Sequence, residues 1–150
     1  QDRHQSGGAR RRPITRSETM ARVRSRDTGP ELAVRRALWA AGARGWRLGG
    51  WGLPGRPDLV WPGRRVALFV HGCFWHGHDC PRGARVPKAN RAYWTAKIAA
   101  NRARDAAAHA ALTAAGWSVL IVWECALGSG VAAAVAALPR RLIAAPPLVA

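Results

Sequence analysis

Acidic residues are scarce in this chain. Only 8 Asp and Glu stand against 24 Lys and Arg in 150 residues, for a formal charge of +16. An excess of that size points to a polyanionic partner, nucleic acid first among them. Arginine and alanine dominate throughout, as in GC-rich coding sequences, so codon bias is a second source of the charge. Cysteine is scarce too: three, an odd number without a secretory leader, argue against a disulfide framework. The first residues are polar and basic and hold no apolar stretch of the sort a signal peptide needs. No apolar run approaches the roughly 20 residues that cross a bilayer. These absences argue against a secreted scaffold or a membrane protein and lead us to expect a cytoplasmic one. Two Phe and one Tyr accompany eight Trp. Several of those tryptophans must sit in the core, and others are free to stack on bases.

The length suits one domain with a single core. Residues 1–16 carry Arg10-Arg11-Arg12 and no apolar period; they read as a disordered basic arm, or as a stretch upstream of the true start. Residues 17–142 form the expected domain, and 143–150 a loose tail. Thr28-Gly29-Pro30-Glu31 has the form of a helix start, with Thr as N-cap, Pro in the first turn and Glu completing a capping box. Val34, Ala37, Leu38 and Ala41 then follow helical spacing, and Gly42 ends the helix. Asp58 opens a strand after the Pro54-Gly55-Arg56-Pro57 turn. Pro62-Gly63 reverses the chain into an antiparallel partner from Arg65 to Val70. A long Ala-rich helix is expected from Arg91 to Ala115, a buried strand from Trp117 to Trp123 and a last helix from Val131 to Leu138. Strands flanked by helices on this scale mean an α/β layered domain.

The richest stretch is His71-Gly72-Cys73-Phe74-Trp75-His76-Gly77-His78-Asp79-Cys80. Thiolates and imidazoles are the ligands zinc prefers, and a closed structural site needs four in a tetrahedron. Cys73, His78 and Cys80 offer three, and Cys125 is the natural fourth. His71 and His76 are then left for chemistry. Two alternatives stay open on spacing alone: the cysteines can be small buried hydrophobes, and His76 is also within reach of a metal.

The assembled pieces resemble the very-short-patch repair (Vsr) endonucleases, bacterial enzymes that nick DNA at T:G mismatches left by deamination of 5-methylcytosine. The resemblance rests on Thr19-Met20, Arg26-Asp27-Thr28 with Glu31, Leu53-Pro54-Gly55-Arg56-Pro57-Asp58 and His71-Gly72-Cys73-Phe74-Trp75-His76. It continues through His78 with Cys80, Val86-Pro87-Lys88, Tyr93-Trp94, Lys97-Ile98, Asn101, Arg104-Asp105 and Gly116-Trp117, and closes on Val122-Trp123-Glu124-Cys125-Ala126-Leu127. These run in family order over about residues 17 to 127. The resemblance implies a restriction-endonuclease-like core, a mixed sheet flanked by helices, with structural zinc on Cys73, His78, Cys80 and Cys125. It implies catalytic Mg²⁺ on Asp58 and the backbone carbonyl of Val70, with Glu31 holding that site through water. His71 and His76 match the active-site histidines, Phe74, Trp75 and Trp94 the aromatics that wedge into the duplex, and Lys88 a DNA contact. The implied partner is mismatched duplex DNA, met by a monomer associated with the nucleoid, with a repair polymerase and mismatch-repair proteins downstream. Val70 stands where the family often has Thr, and the loop Pro81–Arg85 departs in composition.

Phosphodiester hydrolysis needs an activated water, charge neutralisation and a stabilised leaving oxygen, all of which Mg²⁺ on a carboxylate assists. Many nucleases of this fold carry Glu-x-Lys on the strand after the Asp. Here that strand reads Phe69-Val70-His71, so the general-base role passes to histidine, and His76 is favoured because zinc does not need it. Blander roles exist for each residue. Asp58 can cap a turn, Glu31 can serve only the capping box, and Trp94 can be helix–sheet packing. One of Phe74 and Trp75 can be buried while the other is exposed, and Arg104-Asp105 reads as an ion pair. Two rival functions follow: a restriction-type or mobile-element nuclease of the same fold, and a non-catalytic zinc DNA-binding module. The second has no use for Asp58, Glu31, His71 and His76 together.

Overall fold

The computed structural model describes residues 28–143. The basic arm, Thr19-Met20, Arg26-Asp27 and residues 144–150 lie outside the described residues.

Helix α1, Gly29–Ala40, starts at Thr28, whose backbone is extended, with Pro30 in the first turn. The Thr28 hydroxyl makes no capping hydrogen bond, so the expected capping box does not form. Glu31 instead lines a cleft that it shares with Asp58. Val34 and Leu38 bury the inner face of α1 completely, in the spacing the sequence set out.

Strand β1, Leu59–Trp61, pairs antiparallel with β2, Val66–His71, in the register Leu59↔Leu68 and Trp61↔Val66. Asp58 lies one residue ahead of β1 and does not open it, although its N–H still donates to Leu68 O at 2.9 Å. Strand β3, Ser118–Trp123, runs parallel to β2, with Val66 opposite Ser118 and His71 opposite Trp123. The mixed sheet thus has the order β1-β2-β3. A parallel neighbour cannot be reached by a hairpin. The connection from β2 to β3 runs through the Cys/His segment and the long helix α2, Arg91–Ala114.

Alternation along β2 decides what lies on each face. Val66 and Leu68 pack against α1 and the last helix, α3, Leu127–Ala137, with Val34, Leu38, Val131 and Ala134 as partners. Ala67 and Phe69 face the other way, onto Leu112 of α2. The result is an α/β domain of three layers, one helix on one face of the sheet and two on the other. Helix α3 begins four residues earlier than expected, because the turn Glu124–Ala126 feeds straight into it. Of β3 only Val122 is fully buried; β3 is an edge strand, so the fully buried strand expected there is corrected to a half-covered one. Bridges Ala43↔Ile143 and Arg47↔Val60 tie the connecting segments to the core. No helix among the described residues is long and apolar enough to cross a membrane.

Candidate active site and metal cluster

Two clusters form where the sheet ends. The first uses the parallel register. His71 and Trp123 are opposite one another, and two residues beyond each stand Cys73 and Cys125. Equal offsets from paired positions bring the two thiols together. The turn after Cys73 returns His78 and Cys80, and the ligand atoms of all four residues lie within 4.8 Å of one another. Cys125 Sγ is 3.4 Å from His78 Nδ1. A tetrahedral metal with bonds of about 2.3 Å to sulfur and 2.0–2.1 Å to nitrogen sets that edge at about 3.6 Å. The residues therefore fit a metal such as zinc. Neighbouring groups fix the cluster: the Cys73 N–H donates to Glu124 Oε1 at 3.0 Å, and the His78 ring stacks on Trp123 with centroids 4.1 Å apart. The Gly83 N–H donates to Cys80 Sγ at 3.4 Å. That contact, then His78 and the other two thiols, brings the Cys80 thiol down to about 6, as a thiolate ligand requires. Gly83 itself is obligatory, since a Cβ there would lie 1.8 Å from His78 O.

The second cluster lies in a cleft of about 570 Å³, lined by Glu31, Asp58, His71, His76 and Asp105 among others. Asp58 Oδ2 accepts from the Val70 N–H at 2.7 Å. Burial raises the Asp58 carboxyl from 3.8 to about 6 despite that bond, and the charge of Glu31 pushes the same way. Two carboxylates held together in a desolvated cleft suit a hard cation. The His71 and His76 rings stack face to face at 3.8 Å and 9°. His71 is buried, and burial first, then the neighbouring His76, pull it down from 6.5 to about 4. His71 is thus a neutral imidazole at physiological pH. His76 is half-buried and its Nδ1 lies 2.5 Å from Asp105 Oδ2. An ionised carboxylate only accepts, so Nδ1 is the donor of this pair.

Asp105 is the residue the sequence reading misplaced. The expected Arg104-Asp105 ion pair does not exist: Arg104 bonds Asn101 and Asp105 bonds His76. Adjacent residues on a helix point about 100° apart, and Asp105 is on the inner face while Arg104 is exposed. A signal was present. Trp94, Ile98, Asn101, Asp105, Ala108 and Leu112 follow i, i+4, i+7 spacing, so two polar residues interrupt the buried stripe of α2. Glu124, between Trp123 and Cys125, was likewise passed over and lines the same cleft.

Phe74 and Trp75 occupy a turn, both half-buried, so neither is sent to an opposite face as on a strand. Trp94 is only 4% exposed and packs edge-on against Phe74 at 5.5 Å and Trp75 at 5.9 Å. It backs the pair from α2, packing on the turn and not on the sheet as the alternative reading had it. Asn101 Nδ2 donates to Trp75 O at 2.9 Å and fixes the turn from the same helix. Lys88 is exposed on the loop before α2.

The family profile for DNA mismatch endonuclease Vsr matches residues 11–82. The type II nicking enzyme V.XorIIP of Xanthomonas oryzae pv. oryzae is 54% identical over 115 residues, 77% of this chain and 83% of that enzyme. The nicking enzyme V.NaeI of Lentzea aerocolonigenes is 44% identical over 114 residues, 73% of this chain and 67% of that one. The DNA mismatch endonuclease Vsr of Escherichia coli is 42% identical over 113 residues, 75% of this chain and 71% of that protein. With identities this high over most of both chains, the protein belongs to the Vsr family of DNA mismatch endonucleases.

Proposed function

We propose that this protein nicks one strand of duplex DNA at T:G mismatches by Mg²⁺-dependent hydrolysis, on a restriction-endonuclease-like core held by structural zinc. The observation that carries this reading is the convergence, in one cleft, of Asp58, the His71–His76 stack and Asp105 with the Phe74-Trp75 turn. A binding module needs the aromatics but not the acids and histidines beside them.

Asp58, the Val70 carbonyl and Glu31 would hold the catalytic cation, which would supply neutralisation of phosphate charge and stabilisation of the leaving oxygen. His76 takes the proton from the attacking water at Nε2 while Asp105 holds the opposite nitrogen. His71, neutral and stacked beneath it, keeps a second positive charge away from His76 and contacts the phosphate side of the cleft. Phe74 and Trp75 insert into the duplex, and Trp94 and Asn101 brace them. Opening a mismatched step costs less than opening a paired one, which turns insertion into selectivity. Zinc on Cys73, His78, Cys80 and Cys125 would fix the turn that carries Phe74, Trp75 and His76. Lys88 contacts the DNA backbone. The protein works as a cytoplasmic monomer at the nucleoid, and a repair polymerase acts on the nick.

The test is a nicking assay on two duplexes of one sequence, one with a T:G mismatch and one fully paired, with and without Mg²⁺. Nicking of the mismatched duplex alone, and only with the cation, is expected. Equal cleavage of both duplexes would move the protein to the restriction-type reading.

A further inference from the structure

Helix α2 meets the two stacked histidines twice. Asp105 bonds the ring of His76. One turn further along the same face stands His109, which the catalytic reading leaves without a role. Asp105, His109 and Leu112 follow i, i+4, i+7 spacing, and Leu112 at the end of that stripe packs with Phe69. Phe69 and His71 are two apart on β2 and so share the face turned to α2. His109 meets both. Its ring lies 4.9 Å from Phe69, tilted by 58°, and 5.7 Å from His71, with the two imidazole planes only 19° apart.

On each of these two imidazoles one buried nitrogen has no hydrogen-bond partner among the described residues: His71 Nδ1 and His109 Nε2. Buried polar atoms are nearly always paired, and leaving one unpaired is costly. An imidazole nitrogen serves as donor or acceptor according to where the ring carries its hydrogen, so each orphan can complement the other. Chemistry decides which one donates. His71 lines the active-site cleft, and with Nδ1 buried its Nε2 is the nitrogen left for DNA. Phosphate oxygens only accept, so that nitrogen must carry the hydrogen. In the uncharged ring Nδ1 is then an acceptor and needs a donor behind it. The link is not closed in the free protein. Catalytic hydrogen bonds are often long before substrate binds, and one water can also complete such a pair.

We propose that His109 is the positioning residue for His71. Its Nε2–H, directly or through one water, holds His71 Nδ1 as an acceptor and so presents the Nε2–H of His71 to the scissile phosphate. Helix α2 thus orients both histidines from one face, Asp105 setting His76 and His109 setting His71. This rests on the nicking reading above and adds to it a residue that acts from behind the cleft, without touching DNA.

The test uses the full chain and a T:G duplex. His109→Leu keeps bulk against Phe69 and removes the donor, whereas His109→Gln keeps a side-chain N–H. In single-turnover nicking, His109→Leu should be about tenfold to a hundredfold slower, the usual loss when a histidine's orienting partner is removed. Its duplex affinity and melting temperature should stay close to the parent's. His109→Gln should recover most of the rate. On a His71→Ala background, His109→Leu should cost little more. Nitrogen NMR spectra of the imidazole rings, taken without Mg²⁺ and with and without duplex, need no turnover. In the parent, His71 should carry its hydrogen on Nε2; in His109→Leu the two tautomers should mix. A parent-like rate in His109→Leu, or a His109→Gln no faster than His109→Leu, would overturn the proposal. So would an unchanged His71 tautomer in His109→Leu, or rate losses that follow melting temperature, which would leave His109 as packing on Phe69. If the parent nicks no duplex, the nicking reading fails by itself, and the tautomer comparison still decides the role of His109.

Discussion

Asp58 stores a conflict between stability and function. Burial raises its pKa to about 6, above the ordinary 3.8, so the folded protein holds this proton more tightly than the unfolded chain. Its favourable contribution is full below about pH 4 and is lost as pH rises through 6. Asp58→Asn removes that loss. In metal-free buffer at pH 8 the variant should be more stable than the parent by roughly 1–3 kcal/mol, with no difference at pH 4. Melting curves at the two pH values check this. Should the variant melt lower at pH 8, the carboxylate would be acting chiefly as the acceptor for the Val70 N–H. The same variant should not nick DNA. His76 and Asp105 are in hydrogen-bond contact, so if they act as the proposed base and its orienter, His76→Ala and Asp105→Asn should each cost about 10²–10⁴ in nicking rate. The double variant should cost little more than either alone. Additive losses would separate the two residues. At this scale Cys73, His78 and Cys80 were legible in the sequence because the ligand types are rare and closely spaced, and distant Cys125 because it is the one remaining cysteine of three. Asp105 and Glu124 were not, because their partners are 29 and 51 residues away in the chain.

At the scale of elements, one turn does most of the work of the site. Residues 72–80 carry metal ligands, a proposed base and two aromatics, and α2 braces the turn through Trp94 and Asn101. Trp75→Ala should weaken binding to a T:G duplex about tenfold or more, as one lost stack of 1–3 kcal/mol predicts. Binding to the paired duplex should hardly change. Competition between the two duplexes decides it, and equal losses on both would assign Trp75 to packing. The helices were readable from apolar spacing, β1 and β2 from the Pro62-Gly63 reversal. What sequence could not give was the position of β3 at an edge. A run of apolar residues looks the same whether one neighbour or two will cover it.

Across the whole molecule, a charge of +16 makes affinity a matter of salt. Each phosphate contact steepens the fall of log K with log salt by about 0.9. Raising monovalent salt from about 50 to 200 mM should therefore weaken mismatched and paired duplex binding in parallel. On the proposed mechanism the ratio between them should stay nearly constant, because selectivity would come from opening the base step and not from phosphates. A ratio that collapses with salt would place selectivity in the basic surface instead.

Neighbouring parallel strands have no hairpin to hold them in register while the rest of the chain folds. Cys73 and Cys125, at equal distances past the paired residues His71 and Trp123, supply the equivalent of one when they share a metal. The clasp closes a segment of about fifty residues in the unfolded chain, and a fixed cross-link over that span is worth roughly 4 kcal/mol in chain entropy. Metal would thus act on the kinetics of assembly as well as on the finished site. Refolding with Zn²⁺ should be faster than with a chelator, and Cys125→Ser should erase the difference along with the bound zinc. Strand order is then checked at the first step: a chain that pairs β2 and β3 one residue out of step moves one thiol out of the tetrahedron and forfeits the clasp.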